Sequence, residues 1–233
     1  MKDLSRLLND ERKLEERLAA GWANDNLRRD WSPRLIFFHV AQWRARLVEA
    51  LSNHEKGQPF SAPPGNIDEF NDAELPGGRR MQLPEAASRS NATLGSLVEL
   101  WRKLGDRPFA WYSAETVSEA LTRNSYLHPR IHLASYLMDR GDRVEGDRMV
   151  EETAVELRAA DAHARVLGAA LYNLANVRVT QGRNVDAIEL LEEAAPMRPD
   201  LGSYAIEDTA FEALRDSPRI RALGKKGPPG QSA

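Results

Sequence analysis

The stretch that decides the fold reads Tyr126-Leu127-His128-Pro129-Arg130-Ile131-His132-Leu133-Ala134-Ser135-Tyr136-Leu137-Met138-Asp139-Arg140-Gly141. It predicts a helix with two neighbours. His128 and His132 present paired imidazoles to the preceding chain, whereas Leu133 and Leu137 fit a helical repeat that follows. Successive residues on a helix point about 100° apart, so one helix can serve both sides. The sequence therefore predicts that this helix joins two helical architectures.

The composition is that of a globular protein with mixed charges. The 233 residues are 42% hydrophobic and 29% charged, with a net charge of −3. Lys and Arg are scattered among Asp and Glu, so a nucleic-acid partner is not expected. No window approaches the roughly 18 uninterrupted apolar residues of a membrane span. The N-terminus opens on a charged amphipathic pattern and not on a signal sequence, which predicts a cytoplasmic protein without a membrane partner.

Cysteine is absent from the chain. Its absence excludes disulfides, thiolate nucleophiles and thiolate metal ligands within these residues. Any metal ion must therefore be held by histidine or carboxylate, and any thiol chemistry requires an external thiol.

Three helices are predicted before the central one. The first covers residues 3–20 and carries a leucine stripe, the second runs from Pro33 to about residue 53 with Ser32 as N-cap, and the third runs from Pro84 to Leu104. Glycines and prolines between residues 54 and 83 predict a long loop. A short helix capped by Ser113 and a turn at residues 124–125 complete the N-terminal part.

Polar residues interrupt the apolar stripes of these helices. Glu11 falls in the stripe of the first helix and either reaches solvent at the helix edge or points into a polar cavity. His39 lies on the inward stripe of the second helix, as a core histidine or as a ligand. Ser90 and Asn91 interrupt the third stripe, which predicts either a cavity lining or a position near a helix end.

The C-terminal part fits the tetratricopeptide template over residues 168–199. The matching positions are Leu171, Leu174, Ala175, Gly182, Ala187, Leu191, Ala194 and Pro199. Residues 141–154 align without gaps to residues 182–195, which indicates an earlier copy. The sequence predicts helical repeats over residues 127–223 that share the helix of residues 129–140. Phe211 and Leu214 are expected to cap the last hairpin, and residues 224–233 to form a disordered tail.

Three of the five histidines can meet in a helical bundle. His128 and His132 stand one helical turn apart, and His39 can approach them from a facing helix. Such a set leaves an open position for water or substrate, as in catalytic zinc sites. A pair at this spacing is also compatible with a structural role. Pro129 disfavours helical conformation at the preceding residue, which predicts that His128 is the N-cap of its helix.

The order of these features resembles a known family. Trp31-Ser32, His39 and Trp43 on the second helix, the long loop, Leu94, Leu97, Val98 and Leu100 on the third, and Tyr126-xx-His-xxx-His on the fourth are similar to the DinB/YfiT-like four-helix bundle superfamily, nearest to its ClbS/DfsB-type branch. The resemblance covers residues 1–140. It implies an up-down four-helix bundle in which His39, His128 and His132 hold zinc, nickel or iron, and it implies a transferase or hydrolase activity.

Two functions are compatible with an all-α protein of this kind. The first is a metal-dependent hydrolase or transferase that acts on a small electrophilic molecule, with Glu11 as the one stripe carboxylate nominated as a catalytic base. The second is a non-enzymatic interaction protein with a degenerate bundle, whose tetratricopeptide-like repeats bind a protein partner or a second copy of the chain.

Overall fold

The computed structural model describes residues 3–22, 31–62 and 66–223 and divides into two compact units, one ending at Asp142 and one beginning at Arg143. The predicted all-α class is confirmed, with one small β-hairpin among the described residues. The four-helix bundle, the tetratricopeptide-like repeats and the sharing of one helix between them stay predictions. None of the described helices has the length and apolar composition that a membrane span needs.

The first unit is organised around its second helix. Its elements are α1 (Leu4–Gly21), α2 (Pro33–Glu55), α3 (Ile67–Arg80), α4 (Leu83–Leu104), β1 (Pro108–Trp111), β2 (Ala114–Thr116), α5 (Val117–Thr122), a π-helical turn (Arg123–Leu127) and α6 (His128–Asp139). Helix α2 packs along α4 and contacts α3, the π-helical turn and α6, while α1 packs on α4 and the same turn. Because α2 has neighbours on several sides, most of its residues are buried.

The start of α2 is where the sequence predicts it. Ser32 has the extended conformation of an N-cap, and its carbonyl accepts from the amides of Leu35 and Ile36. Pro33 follows at a position where its missing N–H costs nothing. The Ser32 hydroxyl makes no capping bond and has no hydrogen-bond partner among the described residues. The helix start therefore depends on the backbone and on Pro33.

The predicted loop over residues 54–83 is wrong for its second half, which forms α3. Asn66 caps this helix by accepting from the Glu69 amide at 3.3 Å, and acidic and basic residues occupy its first and last turns as the helix dipole favours. A Cβ built on Gly78 would lie 2.7 Å from the Phe38 ring of α2. Glycine here permits close helix packing, which is why its presence misled the prediction.

The short helix before the central one also begins later than predicted. Residues 108–116 form an antiparallel hairpin in which Trp111 pairs with Ala114, so Ser113 lies in its turn and caps no helix. Thr116 caps α5 instead, its hydroxyl accepting from the Glu119 amide at 3.3 Å. The predicted turn at residues 124–125 is part of the π-helical turn. Phe109 and Trp111 are buried alternately along β1, which is the strand pattern that the prediction missed.

The second unit contains consecutive helices that pack on one another, followed by a cap. Its elements are α7 (Arg143–Ala159), α8 (Ala164–Thr180), α9 (Asn184–Ala194), α10 (Pro199–Tyr204), a 3-10 helix (Thr209–Leu214) and α11 (Pro218–Leu223). Helix α8 packs against α7 and α9. Phe211 and Leu214 share one core cluster with Ala187 and Leu191, so the predicted cap covers the α8/α9 hairpin. The predicted tail, residues 224–233, lies outside the described residues.

Candidate metal centre

Three histidines from two helices converge at one point of the first unit. His39 lies in the first half of α2, and His128 and His132 lie in the first turns of α6. The Nε2 atom of His128 is 3.0 Å from that of His39 and 3.0 Å from that of His132. One ligand nitrogen of each residue lies within 4.8 Å of the other two. The structure thus brings together all three histidines that the sequence nominates as ligands.

His128 occupies a full helical position, so its prediction as an N-cap is wrong. Its φ of −60° and ψ of −48° are helical, and its amide donates to the Arg123 carbonyl five residues earlier. The preceding π-helical turn continues α5 directly into α6, and Pro129 falls in the first turn of α6. His128 and His132 therefore face the same side of one helix, one turn apart.

The geometry of the three nitrogens fits a single divalent ion. Two nitrogens 3.0 Å apart could both lie about 2.1 Å from one ion. Three imidazoles are a sufficient ligand set for zinc, nickel or iron. His128 and His132 are only half-buried, so one side of the group remains accessible. The residues present therefore fit an ion that keeps at least one position for an exogenous ligand.

Aromatic rings surround the three imidazoles. The Trp31 ring stacks on His132 at a centroid distance of 5.2 Å and meets the edge of His39 at 5.0 Å. Trp43 contacts His39 at 6.2 Å and His128 at 6.3 Å. Its indole N–H donates to Asn71 Oδ1 at 3.0 Å. These contacts restrict the imidazole orientations and place them in a largely apolar setting.

Burial keeps the three imidazoles neutral. It lowers the pKa of His39 to about 3, helped by the charges of His132 and Arg46. It lowers the pKa of His132 to about 4 and that of His128 well below its usual value. Binding to a metal ion requires an unprotonated nitrogen. The group is therefore in its metal-binding protonation state at neutral pH.

Glu11 is fully buried and lies outside the three-histidine group. Its Oε2 accepts from Arg130 Nε at 2.6 Å, while its Oε1 has no hydrogen-bond partner among the described residues. Burial raises the pKa of Glu11 to about 7, and Arg130 opposes that rise. Of the two interpretations drawn from the sequence, the one in which Glu11 reaches solvent at the helix edge is wrong. Its nomination as a catalytic base stays a prediction.

A buried ionic network lies close to the histidines and is not among the sequence-based predictions. Arg44 is fully buried and donates to both carboxylate oxygens of Glu15, at 2.8 and 2.6 Å. It also donates to the Ser90 hydroxyl at 2.7 Å. Ser90 therefore interrupts its stripe as a partner of Arg44, far from either end of α4. Arg44 and Glu15 each occupy a position in the leucine-rich apolar stripe of their own helix. Opposite charges in two such stripes are the sequence signal of a buried ion pair.

Comparison with protein-family models, with curated proteins and with solved structures finds no match for this chain. The similarity of residues 1–140 to the DinB-like superfamily therefore stays a prediction.

Proposed function

We propose that His39, His128 and His132 hold a divalent ion and that the chain is a metal-dependent hydrolase or transferase acting on a small electrophilic molecule. The observation that carries this proposal is the convergence of three Nε2 atoms from two helices, with separations of 3.0 Å at His128. Three neutral imidazoles crowded together without an ion gain little, because they cannot all be hydrogen-bond donors and acceptors to one another.

In this proposal the chain's own residues bind the ion and orient the imidazole rings that hold it. The imidazoles supply the ligand nitrogens, and Trp31 and Trp43 fix the rings by contact. The accessible side of His128 and His132 admits the substrate. The chemistry that a divalent ion would supply at this group is Lewis acidity, which would lower the pKa of bound water or of an external thiol toward neutral pH. A thiol must be external because the chain has no cysteine.

Zinc, nickel and iron are the proposed ions. Imidazole nitrogens suit all three, and no thiolate or carboxylate belongs to the group. Metal analysis of the purified protein therefore has to identify the ion as well as its stoichiometry.

Metal analysis of the purified protein tests the proposal. The chain is produced without a histidine tag, dialysed against metal-free buffer and analysed by mass spectrometry for metals. We expect about one zinc, nickel or iron per chain, and reloading to the same stoichiometry after chelation. A protein that contains no metal and binds none on reloading would contradict the proposal.

Activity is tested separately on the loaded and the chelated protein. A panel of small electrophiles, such as activated esters, epoxides and alkyl halides, is incubated with and without an added low-molecular-weight thiol. We expect turnover that requires the ion. Dependence on the thiol assigns a transferase, and turnover with water alone assigns a hydrolase. The alternative function, a protein-interaction module built on the second unit, stays a prediction and is favoured by a metal-free protein.

A further inference from the structure

We infer that Arg44 is a positioning residue for the proposed metal centre, because it holds the π-helical turn that carries His128 toward His39. This inference rests on the proposed function, since it assumes that the three histidines bind an ion. Arg44 itself donates to Glu15, Ser90 and Ser125, and none of these partners is a histidine.

The bond between Arg44 and Ser125 replaces one that Pro129 removes. In an α-helix the carbonyl of Ser125 would accept from the amide of residue 129, four positions later. Pro129 has no amide hydrogen, so this bond cannot form. Arg44 Nη2 donates to the Ser125 carbonyl at 3.0 Å instead. The guanidinium thus supplies from α2 the donor that the helix lacks at the point where His128 begins α6.

The position of Arg44 is fixed by its other partners. Its two terminal nitrogens bind the two oxygens of Glu15 on α1, and one of them also binds Ser90 on α4. A guanidinium can make such planar, two-pronged contacts and a further bond at the same time, whereas an ammonium group is a single point of charge. The bond to Ser125 therefore connects the turn to a rigid point formed by three helices.

A second bond ties the same turn to the same helix. The Asn124 side-chain amide donates to the Trp43 carbonyl at 3.2 Å. Consecutive residues of the turn, Asn124 and Ser125, are thus bound to consecutive residues of α2, Trp43 and Arg44. Helix α2 also carries His39 one turn before Trp43.

These bonds determine which way His128 faces. A π-helical turn contains one residue more than an α-helical turn, and one residue corresponds to about 100° of rotation. Relaxation of the turn to α-helix would rotate His128 and His132 relative to His39 by that amount. The bonds from Arg44 and Asn124 oppose this relaxation. Arg44 consequently sets the convergence of the three nitrogens without touching any of them.

Four variants and one control separate this role from plain stabilisation. Arg44→Lys keeps the charge opposite Glu15 and removes the span to Ser125, so it is expected to fold. Pro129→Ala supplies an amide hydrogen at residue 129, and the double variant combines both changes. Asn124→Ala removes the second tether. Arg178→Lys is the matched control, because Arg178 is a buried arginine of the second unit bound to Glu151 and Gln181.

Cobalt(II) is the probe, and its affinity and visible absorption spectrum are the readouts on chelated and reloaded protein. We expect Arg44→Lys to weaken cobalt binding about 10- to 100-fold, which is the usual effect of replacing a residue that orients a metal ligand. We also expect the absorption bands to shift. Asn124→Ala is expected to weaken binding in the same direction. Pro129→Ala should not restore the affinity of the Arg44→Lys protein, because an amide at residue 129 bonds to Ser125 within the helix and leaves the turn without its tether to α2.

The outcomes distinguish this inference from the proposed function. A wild-type protein that binds no cobalt contradicts both. Cobalt binding that is equal in wild type, Arg44→Lys and Arg178→Lys contradicts the positioning role alone, even when both variants melt at lower temperature. Weakened binding in Arg44→Lys that Pro129→Ala restores also overturns it, because an unsatisfied Ser125 carbonyl, and not the lost tether to α2, is then the cause.

Discussion

The Nε2 atom of His39 lies 3.0 Å from that of His128, although 89 residues separate the two histidines. Their approach is produced by residues that take no part in the group. Leucines and tryptophans pack α2 into the first unit, and buried ion pairs connect α2 to α1 and α6 to α1. The histidines can therefore be removed one at a time without removing what brings the helices together.

His39→Ala tests the centre on this basis. We expect loss of stoichiometric metal binding with nearly unchanged helix content, measured by metal analysis and circular dichroism. His54→Ala is the control, since His54 contacts Phe60 and Phe109 and lies outside the group. A structural core histidine predicts the reverse, namely a wild-type protein without metal and a variant destabilised by its vacated, partly polar cavity.

The metal-free protein should lose stability as the pH falls below about 6.5. The pKa of His39 is lowered to about 3 and that of His132 to about 4 in the folded state. Between those values and the ordinary histidine pKa, the unfolded chain binds more protons, so the free energy of unfolding rises with pH in this window. The contribution is complete above about pH 6.5 and disappears as the pH falls through the folded-state values.

Urea unfolding of chelated protein between pH 5 and 6.5 measures this effect, because exposed carboxylates scarcely titrate there. Glu11 acts in the opposite direction. Its raised pKa of about 7 stabilises the fold at low pH, and that contribution is lost as the pH rises. Glu11 contributes equally to the wild type and to His39→Phe, so the difference between the two proteins isolates the effect of His39. The variant should show a shallower decline of stability toward pH 5. Equal slopes would contradict burial of a neutral His39.

The sequence predicts which histidines lie together better than it predicts their support. Helical spacing pairs His128 with His132, and the resemblance to the DinB-like superfamily adds His39 to the set. The support depends on contacts between distant segments, as in the bond from Arg44 to the carbonyl of Ser125. The local effect of Pro129 on the preceding residue predicts an N-cap at His128, whereas the π-helical turn and a donor on another helix compensate for this effect.

Gly78→Ala tests the helix that replaced the predicted loop. The added Cβ would meet Phe38 at 2.7 Å and Leu35 at 2.8 Å, so α3 must move away from α2 or these two side chains must shift. We expect a cost of about 1–3 kcal/mol in the free energy of unfolding, as overpacking gives, and faster hydrogen exchange in α3. Gly21→Ala is the control, because nothing lies within 4 Å of its added Cβ. Equal behaviour of the two variants would show that α3 does not pack closely on α2.

Ala187→Leu tests the crossing of α8 and α9 in the second unit. Ala187 is fully buried and shares a core cluster with Ala175, Leu191 and Phe211. A leucine adds three heavy atoms where the two helices meet, so we expect the free energy of unfolding to fall by about 1–3 kcal/mol. Val185→Leu is the control on the same helix, since Val185 is 63% exposed and should change stability by less than about 0.5 kcal/mol. Chemical unfolding of each variant gives both values. An unchanged midpoint for Ala187→Leu would mean that the crossing tolerates a large side chain, contrary to a small-residue position of the tetratricopeptide template.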